Sequence, residues 1–281
     1  MRSKIVLGYL SLYVIFLFFG CVPNNRRLPK ALKEVSGVTK LADGQTYWLN
    51  DGGNGPIVFS SVYKGEETKS FRVPYENVDW EGLTSYQDSL LCICDIGDNR
   101  QKRDHVGIAI VNTRGDILQQ RKLYYPFAPF NAEACAIKGE TFYILTKARF
   151  GSNGAEKINP AYLLTLDLQS QDTVLAIQDE LDFPSRSVTD MAWQSDDELV
   201  IVGYNYKKKA LFGKTPTTVY TVEVGKDDHF RQNTLRAKKI RAPFTWTQYE
   251  SILPIGNGEV LIASEKTIFF PARWRAVSLP K

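Results

Sequence analysis

Five segments of this 281-residue chain fall into one register without a gap, each fifteen residues long: SGVTKLADGQTYWLN from Ser36, EGLTSYQDSLLCICD from Glu81, EACAIKGETFYILTK from Glu133, DMAWQSDDELVIVGY from Asp190 and ESILPIGNGEVLIAS from Glu250. The seventh residue after each start, Asp43, Asp88, Glu140, Asp197 or Asn257, is polar and turn-favouring, which marks a tight connection between two strands. Close to the end of each copy stands a short run that is wholly or mainly apolar: TYWL, LCIC, YILT, VIVG and VLIA. A short continuous apolar run bounded by turns is the pattern of a strand buried on both faces.

Downstream of each copy lie further strand-like pairs, clearest in PIVFSSV with TKSFRVP, HVGIAIVN with LQQRKLYYP, AYLLTLD with DTVLAIQ, and TTVYTVEV with NTLRAKKIR. The copies begin 45, 52, 57 and 60 residues apart. Self-similarity at that period, with about four strands per unit and no alternating helix pattern, predicts an all-β chain folded as a β-propeller. Five four-stranded blades use the whole chain from residue 34 to 281, with TIFF and RAVSL completing the last. A six-bladed ring is the alternative.

Upstream, MRSKIVLGYLSLYVIFLFFG sets two cations before an apolar run that ends at Cys21, the pattern of a secretory signal over residues 1–20. Gly20–Cys21 resembles a bacterial lipobox. This implies lipidation of Cys21, a tether over residues 21–33 and membrane association through the lipid in the cell envelope. Val22 in place of an aspartate points to the outer membrane. The alternative is an uncleaved anchor. The overall balance, 35 Lys and Arg against 31 Asp and Glu, is too even to predict a nucleic-acid partner. Cys92, Cys94 and Cys135 all fall in apolar runs. Three cysteines cannot all pair within the chain, and the expectation is three small buried hydrophobes, with a bond from Cys135 to Cys92 or Cys94 left open.

In a propeller the innermost strand starts, and the second strand ends, on one face of the disc. The start positions Ser36, Glu81, Glu133, Asp190 and Glu250 therefore predict a ring at the channel mouth. The strand ends Asn50, Asp95, Lys147, Tyr204 and Ser264 predict a second ring beside it. Clustered carboxylates raise one another's pKa unless neutralised. One neutraliser is a hard cation such as calcium, which takes oxygen ligands; Glu81, Asp95, Asp98, Asn99 and Glu133 are the candidate set. The other is Lys147, with Lys266, pairing to neighbouring carboxylates. The loops leaving this face carry Arg100, Lys102, Arg103, Arg149, Lys157, Lys207, Lys208, Lys209 and Lys214. Arg100, Arg103, Lys147, Arg149, Asp190, Tyr204 and Glu250 are candidate ligand contacts for a small molecule or a protein, and His105 is the sole candidate for a general base. Trp80, Trp193, Trp246 and Trp274 are expected between blades.

At DWEGLT followed by LLCICDIGDN, residues 79–84 and 90–99, the chain resembles secreted bacterial propeller-like proteins that carry DWE and DIGDN motifs in a similar order. EGLT is also similar to the inner-strand motif of phytase-like propellers, whose acidic metal ligands are denser than those here. The resemblance implies a propeller in the envelope. Three functions are compatible with it: a binding module at the channel mouth, a metal-dependent hydrolase of phosphate or carboxylic esters, or a scaffold in an envelope assembly.

Overall fold

A continuous apolar strand needs apolar cover on both sides, and the fold supplies it by stacking sheets around an axis. The computed structural model of the chain describes residues 26–61, 68–127, 130–150, 157–181, 183, 187–205, 216–240, 247–267 and 270–280. A two-residue strand, β1 (Arg26–Arg27), comes first. Blade 1 holds β2 (Val35–Lys40), β3 (Thr46–Asn50), β4 (Ile57–Ser61) and β5 (Thr68–Arg72); blade 2 holds β6 (Gly82–Tyr86), β7 (Leu90–Asp95), β8 (Val106–Val111) and β9 (Ile117–Leu123). Blade 3 is β10 (Ala132–Lys138), β11 (Thr141–Thr146), then, after a small hairpin of β12 (Arg149–Phe150) and β13 (Lys157–Asn159), β14 (Ala161–Asp167) and β15 (Ala176–Leu181). Blade 4 is β16 (Ser187–Trp193), β17 (Glu198–Tyr204), β18 (Thr217–Glu223) and β19 (Arg236–Ile240). Blade 5 is β20 (Tyr249–Gly256), β21 (Glu259–Ser264) and β22 (Arg273–Ser278), and its fourth strand is β1.

All pairings within the blades are antiparallel. The inner strands β2, β6, β10, β16 and β20 touch in that order and close back on β2. The chain is a five-bladed β-propeller.

The alternation of side chains along each second strand explains the apolar runs. In β7, Leu91 and Ile93 pack toward blade 1 while Cys92 and Cys94 pack toward blade 3. In β11, Phe142 and Ile144 face blade 2 and Tyr143 and Leu145 face blade 4. In β17, Leu199 and Ile201 face blade 3, and Val200 and Val202 face blade 5. The interior is thus five cores between blades rather than one at the centre, which leaves the channel to polar side chains. Trp80 and Trp274 lie in these cores, and Trp193 packs against one; Trp246 lies outside the described residues.

Three expectations need correcting. The fourth strand of the last blade comes from the N-terminal Arg26–Arg27, paired with Arg273 and Trp274, and not from TIFF. Residues 26–33, expected as tether, carry Leu28 and Leu32 into the core between blades 5 and 1, because an apolar residue set beside an open seam gains by covering it. Finally, Cys94 and Cys135 form a disulfide between blades 2 and 3, and Cys92 is the free, buried cysteine. Among the described residues no helix is long and apolar enough to cross a membrane. Residues 1–20 and Cys21 lie outside them.

Candidate functional site

A β-bulge starts the inner strand of four blades, where the register skips between Val35 and Gly37, Ala132 and Ala134, Val188 and Asp190, and Tyr249 and Ser251. The extra residues are Ser36, Glu133, Thr189 and Glu250. Glu81 holds the matching place in blade 2, its N–H donating to the Cys94 carbonyl at 3.0 Å. Bulges re-aim a side chain, and here they turn Ser36, Glu81, Glu133 and Glu250 into one cavity of about 250 Å³.

The second ring is displaced from the expected positions. Asn50, Asp95 and Ser264 end their strands but point aside: Asn50 Nδ2 donates to the Ala31 carbonyl, Ser264 Oγ to the Arg273 carbonyl, and Asp95 binds Arg103. The residues one position later, Asp51 and Glu265, face the cavity because successive side chains of an extended chain alternate. Lys147 and Tyr204 line it as expected. Lys147 does so because blade 3 turns between its first strands through Gly139 and Glu140 alone, making Thr146 and not Lys147 the match of Asn50. Copy four, likewise, starts at Thr189. Asp190 is one step past the bulge and lies outside the cavity: its Oδ1 accepts from Met191 N–H and its Oδ2 from Ile252 N–H, both at 2.8 Å, stitching blade 4 to blade 5.

The full lining is Ser36, Asp51, Glu81, Asn99, Glu133, Lys147, Tyr204, Gln248, Glu250 and Glu265. Five are carboxylates and one is a lysine. Lys147 pairs with Glu133 Oε1, as expected of a structural lysine. Tyr204 Oη donates to Glu250 Oε1 at 3.1 Å, and Gln248 Nε2 donates to the same oxygen at 3.1 Å. Asn99 Oδ1 accepts from Asn131 Nδ2.

The other expected residues are elsewhere. Arg103 is held at 2.7 Å by Asp95 Oδ2 and donates to the Gly97 carbonyl. Asp98 Oδ2 accepts from Arg103 N–H. The geometry therefore separates Asp95 and Asp98 from Glu81 and Glu133. Around Glu81 it gathers Asp51 and Asp79 instead, with one carboxylate oxygen of each within 4.8 Å of the others. His105 sits in a separate hollow beside Asp95 and Arg103 and pairs with Asp104 at 2.9 Å. Arg100 and Lys102 are exposed. Lys266 lines a different hollow, with Arg27, Lys30 and Lys33. The side chains of Arg149 and Lys157 and all of Lys207, Lys208, Lys209 and Lys214 lie outside the described residues.

Burial, chiefly, lifts the carboxyl pKa values here, and neighbouring carboxylates add to it. Asp51 is pushed up to about 7 by burial and by Asp79, Glu250 and Glu34, against a lowering hydrogen bond from Gly52 N–H. Glu265 is pushed up to about 9 by burial, then by Glu250, Asp51 and Glu34. Burial also raises Glu81 and Glu250, with Lys147 opposing in both cases. A carboxyl whose pKa is raised by folding holds its proton longer in the folded state, so stability falls as pH rises. In chelator, the melting temperature is therefore expected to decline from pH 5 to pH 9, across the values of Asp51 and Glu265. Glu265→Gln should flatten the upper limb, and a melting temperature that rises over this range would contradict the assigned shifts.

No family model matches the chain, and no curated protein matches it. Among solved structures it is similar to the PQQ-bound aldose sugar dehydrogenase of Streptomyces coelicolor, at 9% identity and a TM-score of 0.52, covering 90% of this chain and 97% of that one. It is similar to an endo-arabinanase of Bacillus licheniformis at 10% identity and a TM-score of 0.53, covering 90% and 96%. A mutant NanB sialidase of Streptococcus pneumoniae matches at 11% identity and a TM-score of 0.50 over 83% of this chain, which spans 36% of that protein. The likeness shows the fold alone.

Proposed function

We propose that the chain is a propeller binding module of the bacterial cell envelope, anchored in the outer membrane through a lipidated Cys21, that captures a small cationic ligand at its channel mouth. The observation that carries this reading is the cavity wall, in which five carboxylates face one lysine that is already paired. Ionised, such a wall repels anions, and its charge is costly to leave uncompensated. A volume of about 250 Å³ is at the small end for ligand sites, suited to an ion or a compact molecule. Of the cations expected to receive an anion, Arg103 and Lys147 are engaged by Asp95 and Glu133. The disulfide between Cys94 and Cys135 fits an oxidising compartment, and the DWE and DIGDN resemblance agrees with a secreted propeller.

The test is thermal denaturation of the detergent-extracted full chain against amines and guanidines, neutral sugars and organic phosphates, after mass spectrometry has checked Cys21 for its lipid. Cationic compounds are expected to raise the melting temperature, since a ligand bound only by the folded state stabilises it. Paired Glu250→Gln and Glu265→Gln changes are expected to remove that rise. Stabilisation by phosphates alone, or an unchanged response in the double variant, would reject the reading. A second reading, metal-dependent ester hydrolysis, draws on the cluster of Asp51, Asp79 and Glu81. Among the described residues no histidine lines the cavity, so His105 does not serve it as a base.

A further inference from the structure

The DWE motif of blade 2 divides its labour. Trp80 points into the core between blades 1 and 2 with none of its surface exposed. The carboxylates of Asp79 and Glu81, on either side of it, come together, and Asp51, following β3 of blade 1, meets them across the seam. Two glycines make the approach possible: a Cβ on Gly52 or on Gly97 would collide with the Asp79 carboxylate, which gives the glycine of DIGDN a purpose that turn formation alone does not.

Three convergent carboxylates do not by themselves make a site. Glu81 is 5% exposed and lines the cavity, and among the described residues no hydrogen bond or ion pair reaches its carboxylate. Glu133 Oε2, on the same cavity wall, is likewise buried without a partner. Buried polar atoms are nearly always satisfied, and an unpaired buried carboxylate aimed at two others lacks a positive charge. Arg103 and Lys147 lie near enough to lower the pKa of Asp79, but Arg103 is hydrogen-bonded to Asp95 and the Gly97 carbonyl and Lys147 is paired with Glu133.

We infer that Asp51, Asp79 and Glu81 bind a divalent cation of calcium size at the edge of the cation-receptive cavity, where Asp51 and Glu81 line it and Asp79 stands behind them; the site rests on that reading of the cavity. All donors are oxygens, which selects hard ions. The three oxygens lie within 4.8 Å of one another, close enough to share one ion, and carboxylates from separate segments suit the tolerant coordination of calcium better than the near-ideal octahedron that magnesium demands. The open side of the cavity leaves room for water ligands.

Calcium chloride titrated into the detergent-extracted full chain, followed by calorimetry in two buffers of different ionisation enthalpy, tests this. One equivalent of calcium should bind with proton release, because metal displaces protons from carboxyl ligands, and magnesium should bind more weakly. Asp79→Asn and, separately, Asp51→Asn should each weaken calcium binding by about tenfold or more. Melting curves in chelator establish that each variant is folded. Glu250→Gln with Glu265→Gln should lose the organic cations yet keep calcium. Absence of calcium binding at the millimolar levels where extracellular sites fill, or wild-type affinity in both folded aspartate variants, overturns the site. If organic cations still bind in that event, the receptive cavity stands without it.

Discussion

Replacing Trp80 by alanine is expected to destabilise the fold by about 3–5 kcal/mol, the range for removing a buried large aromatic side chain. Trp80 is fully buried among Leu41, Tyr47 and Leu49 of the blade 1 side and Leu83, Leu91 and Ile93 of blade 2, and it stacks on Tyr75 with ring centroids 5.9 Å apart. Its indole N–H donates to the Glu76 carbonyl, and its own carbonyl accepts from Ser36 Oγ at 3.0 Å, a bond from blade 1 to blade 2. The indole thus both fills a seam and fixes the segment that aims Asp79 and Glu81. Denaturant unfolding of Trp80→Ala and Trp80→Phe would measure the loss, with the phenylalanine variant retaining part of the packing. A loss below about 1 kcal/mol for alanine, typical of a surface site, would show that the seam does not depend on this side chain.

Reduction of Cys94–Cys135 is expected to cost roughly 2–4 kcal/mol, since the bond closes a loop of moderate length in the unfolded chain. The two cysteines are 41 residues apart, one in β7 and one in β10, so the bond ties the middle of blade 2 to the inner strand of blade 3. Both residues are buried, and a thiol reagent therefore reaches them only when the protein opens. The measurement is equilibrium unfolding in urea with and without reductant, in the wild type and in the paired Cys94→Ala and Cys135→Ala variant. The double variant should match the reduced wild type and ignore reductant. Cys92→Ala should keep the full response to reductant. Identical midpoints with and without reductant would show that the bond adds no stability.

The blades were readable from the sequence because each second strand is buried on both faces, and that demand writes itself into consecutive residues such as Leu91 to Cys94. The polar rim was harder, and the errors have a common size of one residue. A bulge and a hairpin shortened to Gly139 and Glu140 shift the register within a copy, and a shift of one exchanges the two faces of a strand. Asp190 and Asp95 were consequently assigned to the cavity and Asp51 and Glu265 were missed, although the Asp51 signal, a carboxylate just past a buried run, was present. Asp79 stood within the quoted DWE motif. Arg103 claims Asp95 and Asp98, and a pairing across a loop leaves no periodic trace in the sequence.

The closure of blade 5 by Arg26 and Arg27 sets the order in which this molecule can be completed. The first strand of the propeller finds its partner, β22, only after the rest of the propeller has been made. Until then blade 5 has no final neighbour and the edge of its sheet stands open, the condition in which a sheet invites pairing with other chains. Joining the two ends also closes the largest loop in the domain, a contact of high sequence separation of the kind that slows folding. Leu28 and Leu32, packed directly behind the seam, supply the apolar gain that makes the late docking favourable. If the chain reaches the envelope as proposed, and unfolded, this step falls outside the cytoplasm, and the yield of folded protein there should depend on how quickly one short segment is captured.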